Sequence, residues 1–306
     1  MRWEAEGVLS VHLEDPNGAA LPAWAPGAHI DLHLPGDITR QYSLCGSPSD
    51  QHAWRIGVLR EPVSRGGSAA VHETLRPGDL VQVVGPRNHF ALAASPDYLF
   101  IAGGIGITPL IPMVEQAAAA GAEWRLVYGG RELPSMAFVR DLQAEYDGHI
   151  DVLPQDQHGL LDLDTLLGTP RNATLVYCCG PEPLLNAVEQ RCARWPQGAL
   201  RVERFAPKHR EAEAPGSEAA FDVVLQRSGI TITVPPGTAI LDAVEDQGIE
   251  APNSCRDGIC GTCETAVLEG IPDHRDSLLS DAERAANETM MICVGRALTS
   301  RLVLDL

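Results

Sequence analysis

Cys255, Cys260 and Cys263 fall within nine residues, and Cys293 follows thirty positions later. A fold for this chain must either bring these four thiols to one point or keep them apart. The spacing, C-x4-C-x2-C followed by 29 residues and a fourth C, is that of a plant-type [2Fe–2S] ligand set. The loop 255-CRDGICGTC-263 holds Gly258 and Gly261 where backbone amides must fold around an anionic centre. Structural zinc is the alternative, but it usually takes two C-x2-C hairpins, and only Cys260 and Cys263 have that form. The other cysteines, Cys45, Cys178, Cys179 and Cys192, are scattered along the chain, as small buried apolar residues are.

A chain of 306 residues can bury two or three separate cores. Its longest apolar run, 99-LFIAGGIGITPLIPMV-114, is broken by glycine and proline, so no membrane span is expected. The start, 1-MRWEAEGVLSVHLEDP-16, lacks a charged-then-apolar signal pattern. A cytoplasmic location is therefore expected, where thiols stay reduced, and this weighs against disulfides. The net charge of −18 argues against nucleic-acid binding. Residues 213–306 hold 16 acids against 6 arginines, net −10. Such a surface can dock a basic partner or simply aid solubility.

The texture of the chain divides it into four parts. Residues 1–95 alternate in short segments (7–13, 28–34, 54–59, 79–85) between turn residues, which predicts a small antiparallel β-barrel. From 98-YLFIAGG-104 onward, continuous apolar runs at 124–130, 150–154 and 174–180 alternate with helical stretches at 108–121, 135–147 and 182–195. That pattern predicts an α/β doubly wound parallel sheet over 96–207. Residues 208–220 read as a linker. Residues 221–306 follow with a hairpin (221–229, 230–237) and a helix at 238–248, with Thr238 as its N-cap and Gly248 as its stop, before the cysteines.

Two glycine turns would lie at the carboxyl edge of the parallel sheet, where such sheets bind ligands: 103-GGIGITP-109 and 178-CCGPEPLL-185. Gly103, Gly104 and Gly106 let backbone approach a ligand, and the helix start that follows favours phosphate. In the first part, 40-RQYSL-44 offers a cation, an aromatic ring and a hydroxyl. The segment 64-SRGGS-68 offers a turn able to nest an anion. Each alone is also consistent with a plain strand or turn.

Taken together these residues resemble the phthalate dioxygenase reductase family, over nearly the whole chain and in the same order: flavin barrel, nicotinamide domain, C-terminal ferredoxin. The segments 65-RGGS-68, 86-PRNHF-90 and 303-VLDL-306 add to the match. The resemblance implies an NADH-dependent oxidoreductase carrying FMN and a [2Fe–2S] cluster, with a ferredoxin-like (β-grasp) iron–sulfur domain. Its partner would be a terminal oxygenase, either a Rieske non-haem enzyme or a P450 haem domain, possibly fused. The resemblance assigns Arg40, Gln41, Tyr42, Ser43, Val58, Arg60, Arg65, Gly66, Gly67 and Ser68 to the flavin. It assigns Gly103, Gly104, Gly106, Thr108, Arg131, Cys179, Gly180 and Pro181 to the nucleotide side, and Phe205 as a cover for the flavin. Ser43, Thr108 and Cys179 would lie at the reacting atoms, and Cys255, Cys260, Cys263 and Cys293 would hold the cluster. After the strand ending at Tyr128, Arg131 suits a 2′-phosphate and Glu132 repels one. The resemblance favours NADH over NADPH. A zinc-stabilised nucleotide- or protein-binding module without redox activity is the rival reading.

Overall fold

The computed structural model describes residues 1–36, 38–208 and 219–306. It divides into two compact units, Met1–Glu203 and Arg204–Leu306. The expected linker lies outside the described residues apart from Lys208, Ala219 and Ala220.

The first unit begins with two three-stranded antiparallel sheets. One orders Arg2–Ala5, Val8–Glu14 and Ala53–Leu59, and the other orders Ile38–Ser43, Ala28–Leu34 and Gln82–Asn88. Period-two alternation turns Ile30, Leu32, Ile56 and Val58 inward to a shared core. The strand expected at 79–85 forms three residues later, and a helix unforeseen from sequence, Gly67–Glu73, follows the 64–68 turn.

The same unit continues into a five-stranded sheet, ordered Leu200–Glu203, Thr174–Cys179, Asp97–Gly103, Glu123–Gly130, Ile150–Pro154. Every pairing in it is parallel. The chain starts in the middle, fills one side, then crosses to the other. A topological switch point therefore lies between Asp97–Gly103 and Thr174–Cys179. Helix Leu110–Ala119 packs Leu110, Met113 and Val114 on one face, and helix Glu182–Cys192 packs Leu185 and Val188 on the other. The helix expected at 135–147 is split. A 3-10 turn covers Leu133–Ser135, Phe138 takes a left-handed φ of 62°, and the α-helix runs Val139–Glu145. The core on the first face also takes in Val8 and Cys45, so the antiparallel and parallel sheets share apolar contacts.

The second unit has a mixed five-stranded sheet, ordered Ile230–Val234, Phe221–Leu225, Arg301–Leu304, Glu264–Glu269, Thr289–Met291. Its central pair, Phe221–Leu225 with Arg301–Leu304, is parallel. Helix Ile240–Glu245 buries Ile240, Leu241 and Val244 in its core. Ala239, not Thr238, is the N-cap, with no side-chain cap bond, because the Thr238 carbonyl is held by the Arg296 guanidinium instead. The short helix Asp281–Ala286 has a full capping box from Ser280 and Glu283. Among the described residues no helix is long and apolar enough to cross a membrane.

The close approach of the two glycine turns yields a first prediction. A Cβ on Gly106 would lie 2.3 Å from the Cys179 carbonyl oxygen, against backbone that cannot swing aside. Gly106→Ala should destabilise the first unit by about 1–3 kcal/mol, the usual cost of overpacking. A lowered denaturant midpoint at unchanged slope is the expected reading.

Candidate functional site

All five parallel strands point the same way, so their carboxyl ends, Gly103, Gly130, Pro154, Cys179 and Glu203, form one edge. At the switch point two turns meet with no room for side chains. A Cβ on Gly103 would fall 2.7 Å from Pro181, and one on Gly180 would fall 2.9 Å from the Gly103 Cα. Thr108 is buried beside them, its hydroxyl donating to the Ile105 carbonyl (3.0 Å). Its methyl faces Gly57 on the antiparallel strand Ala53–Leu59, where a Cβ would come within 2.8 Å.

Ser43, at the end of strand Ile38–Ser43, reaches this edge. Its hydroxyl donates to Glu203 Oε2 (3.4 Å), and the Cys179 thiol approaches the same oxygen (3.9 Å). A hydroxyl, a thiol and one carboxyl from three strands thus converge. Burial, then the neighbouring Glu203, pushes the Cys179 thiol well above its ordinary value. Desolvation pushes the Glu203 carboxyl up to about 8, so it is neutral at pH 7. The sequence resemblance singles out Phe205 and not Glu203, two residues earlier. The available signal was its place at a strand end on the ligand-binding edge.

The remaining candidates of the first unit fall in two groups. Arg40 lies across the turn at 64–68, its guanidinium donating to the Arg65 carbonyl (2.5 Å), and Gly67 leaves it room. In that turn the Ser64 hydroxyl accepts from the Gly66 amide (3.1 Å) and from the Ser68 hydroxyl (3.0 Å). Tyr42 is half-buried, and desolvation pushes its phenol up to about 12. A phosphate-sized anion and a planar ring fit this combination of cation, folded amides and aromatic face. The second group turns away. Gln41 donates to Asp31 (2.8 Å), which pairs with Arg87 (2.5 Å). The Val58 side chain is in the core, and Arg60 pairs with Glu73. These three can meet a ligand at the Arg40 turn only through backbone or by leaving present partners. Arg131 is exposed, and its carbonyl accepts from the Asp156 amide (3.1 Å) at the far end of the sheet edge. Phe205, 41% exposed, belongs to the second unit.

In the second unit the four cysteine thiols lie within hydrogen-bonding reach in pairs: Cys255 with Cys260, Cys255 with Cys293, and Cys263 with Cys293. Contact with Cys260 and then Cys293 lowers the Cys255 thiol, and contact with Cys293 lowers Cys263. Cys260 and Cys293 are raised as the donors of those contacts. The Asp257 amide donates to Cys255 Sγ (3.3 Å). Among the described residues no set of three or more His, Cys, Asp or Glu side chains is arranged to hold a single metal ion. Four thiolates with amide support are the donor set a two-iron cluster needs.

Residues 100–190 match the model for an oxidoreductase NAD-binding domain, and residues 223–298 match that for a 2Fe-2S iron-sulfur cluster binding domain. The chain is 46% identical over 305 residues to the phenoxybenzoate dioxygenase subunit beta of Ectopseudomonas oleovorans, covering 99% of this chain and 94% of that one. It superposes on phthalate dioxygenase reductase, described as modular for electron transfer from pyridine nucleotides to [2Fe–2S]. The TM-score is 0.71 at 34% identity, over 99% of this chain and 95% of that one. The chain belongs to the phthalate dioxygenase reductase family. Like other members of that family it is an oxidoreductase with an NAD-binding and a [2Fe–2S]-binding domain. It also matches the structure of an intact type IV self-sufficient cytochrome P450 monooxygenase, with TM-score 0.95 and 43% identity over the whole of this chain. It spans 40% of the length of that P450 chain.

The Glu203 shift has a testable sign. Its pKa rises from 4.5 to about 8 on folding, so above pH 4.5 the folded state binds more protons than the unfolded one. Its stabilising contribution is full below pH 4.5 and is lost as the pH climbs through about 8. Glu203→Gln should flatten the fall in thermal midpoint across that window, measured by scanning calorimetry at a series of pH values.

Proposed function

We propose that this chain carries electrons from NADH, through FMN, to a [2Fe–2S] cluster and on to a terminal oxygenase. The observation behind this reading is one chain that pairs a nucleotide-binding sheet edge, with Ser43, Cys179 and Glu203 converging on it, with four clustered cysteines in its other unit. The corresponding division is an FMN-binding barrel over 1–95, a nucleotide domain over 96–207, a linker over 208–220 and a ferredoxin-like β-grasp domain over 221–306. When bound, the flavin supplies the conversion between two-electron and one-electron chemistry, and a plant-type cluster carries single electrons at about −400 mV.

The residues of this chain do the holding. Arg40 and the 64–68 turn would neutralise the FMN phosphate, and Tyr42 would cover the ring. Ser43 and Thr108 would position the ring edge against the nicotinamide, with Cys179 behind it. The neutral Glu203 carboxyl keeps a proton at Ser43 without placing a second negative charge beside a reduced ring. The Gly103–Thr108 turn would take the pyrophosphate of the dinucleotide. Glu132 beside Arg131 supports NADH over NADPH, since a carboxylate accepts from a ribose hydroxyl and repels a phosphate.

The partner is a Rieske oxygenase or a P450 haem domain. The relatives named as dioxygenase components support the first, and the P450 match supports the second. The acidic balance of residues 213–306 suits a basic docking face on either.

In an anaerobic NADH titration of the holoprotein, flavin absorbance should bleach and a reduced [2Fe–2S] electron paramagnetic signal should follow. A colourless zinc-loaded protein would defeat the reading. Cys260→Ser should abolish cytochrome c reduction while sparing NADH-dependent flavin bleaching. Equal loss of both would contradict a serial pathway.

A further inference from the structure

Asp276 is a carboxylate almost wholly enclosed in the second unit, at 5% exposure, and the proposed electron path does not use it. It lies within the stretch without regular structure between the two-residue strand Pro272–Asp273 and the helix Asp281–Ala286. Its Oδ2 accepts from the backbone amides of Leu278 (3.0 Å) and Leu279 (2.7 Å). Arg284, on the capped helix Asp281–Ala286, donates to the Asp276 carbonyl (2.6 Å) and the Leu279 carbonyl (3.0 Å) and pairs with the same Oδ2 (3.4 Å). The turn 276–279 is therefore tied at both ends by Arg284, a third exposed, paired with the enclosed Asp276 carboxylate.

This turn bears directly on the loop between Cys255 and Cys260. The Ser277 amide donates to the Gly258 carbonyl (2.9 Å). Gly258 has φ +69°, and a Cβ there would lie 3.0 Å from the Asp276 Cα, so the two backbones touch. The Ser277 hydroxyl accepts from the Lys208 amide (2.8 Å), which anchors the turn from its other side. In a trans peptide the C=O and the following N–H point in opposite directions. Holding the Gly258 carbonyl on Ser277 thus turns the Ile259 N–H the other way, toward the Cys255 sulfur, which it reaches. Hydrogen bonds to ligand sulfurs raise a cluster's reduction potential by stabilising its more negative form.

We infer that Asp276, clamped by Arg284, is a positioning residue for the iron–sulfur loop: through the Ser277 amide and the Gly258 carbonyl it aims the Ile259 N–H at Cys255 and so raises the cluster's potential. The inference rests on the reading of the four cysteines as cluster ligands and goes beyond it by assigning the support that tunes them.

The test is an anaerobic redox titration of purified holoprotein, following the [2Fe–2S] paramagnetic signal, for wild type, Asp276→Ala and Asp276→Asn. Asp276→Ala removes the acceptor and the ion pair. At the wild-type midpoint its ratio of reduced to oxidised cluster should fall about tenfold, a shift of about 59 mV to lower potential for a one-electron couple. Asp276→Asn keeps an acceptor for the Leu278 and Leu279 amides and should show a smaller shift in the same direction. The signal's g-values should change in both, while NADH-dependent flavin bleaching keeps its wild-type rate. If Asp276→Ala loses its cluster, Asp276→Asn carries the test alone. Variants that hold the cluster with wild-type potential and g-values would overturn the inference and leave the cysteine reading standing. A wild-type holoprotein with no [2Fe–2S] signal would overturn both.

Discussion

The strand Asp97–Gly103 has to stay dry on both faces, and the first unit is arranged around that need. Tyr98, Phe100 and Ala102 enter one core, and Leu99 and Ile101 enter another. Phe100 and Ile101 have no exposed surface at all. Each such side chain contributes about 1.5–3 kcal/mol when fully buried, so exposing either face would cost more than the unit can spare. Helices must therefore cover both sides, and the chain must cross from one side of this strand to the other. That crossing creates the switch point. The same strand also recruits the antiparallel sheets, because Val8 and Cys45 share its first core.

The chemistry of the first unit follows from where this strand ends. Beyond Gly103 the backbone turns against Gly180, and the two approach more closely than side chains permit. The approach leaves the edge open for a ligand and brings Cys179 and Glu203 side by side from adjacent strands. Ser43 arrives from one antiparallel sheet, and Gly57 of the other leaves room for the Thr108 methyl because it has no Cβ. The second unit solves a comparable problem in a different way. The loop ties its own Asp257 amide to Cys255, and an ion pair outside the loop, Asp276 with Arg284, supports it through the Ser277–Gly258 contact.

Legibility in the sequence tracked the range of the forces involved. The parallel strands announced themselves as continuous apolar runs, and the strand at 150–154 forms over those same residues. The helix Gly67–Glu73 did not, because only Val71 among its larger residues is buried and its pattern is too short to show a period. The break at Phe138 was also hidden, since a left-handed aromatic residue is a product of packing rather than of local preference. Thr238 looked like an N-cap by residue type, yet Arg296, a residue far along the chain, holds its carbonyl and shifts the cap to Ala239. The Ser280–Glu283 capping box, by contrast, is legible from the S-x-x-E spacing alone.

The sequence by itself determined the residue types that chemistry requires: four cysteines at cluster spacing, glycines at the two turns, and an arginine, a tyrosine and a serine at neighbouring positions. Spacing and composition are local properties, and local properties survive in a string of letters. Tertiary structure alone decided which of these residues meet. It put Glu203 between Ser43 and Cys179, turned Gln41 toward Asp31, tied Arg60 to Glu73, and set Asp276 beneath the iron–sulfur loop. Those contacts join residues up to 160 positions apart. They exist only because burying apolar strands on both faces leaves the chain few ways to close.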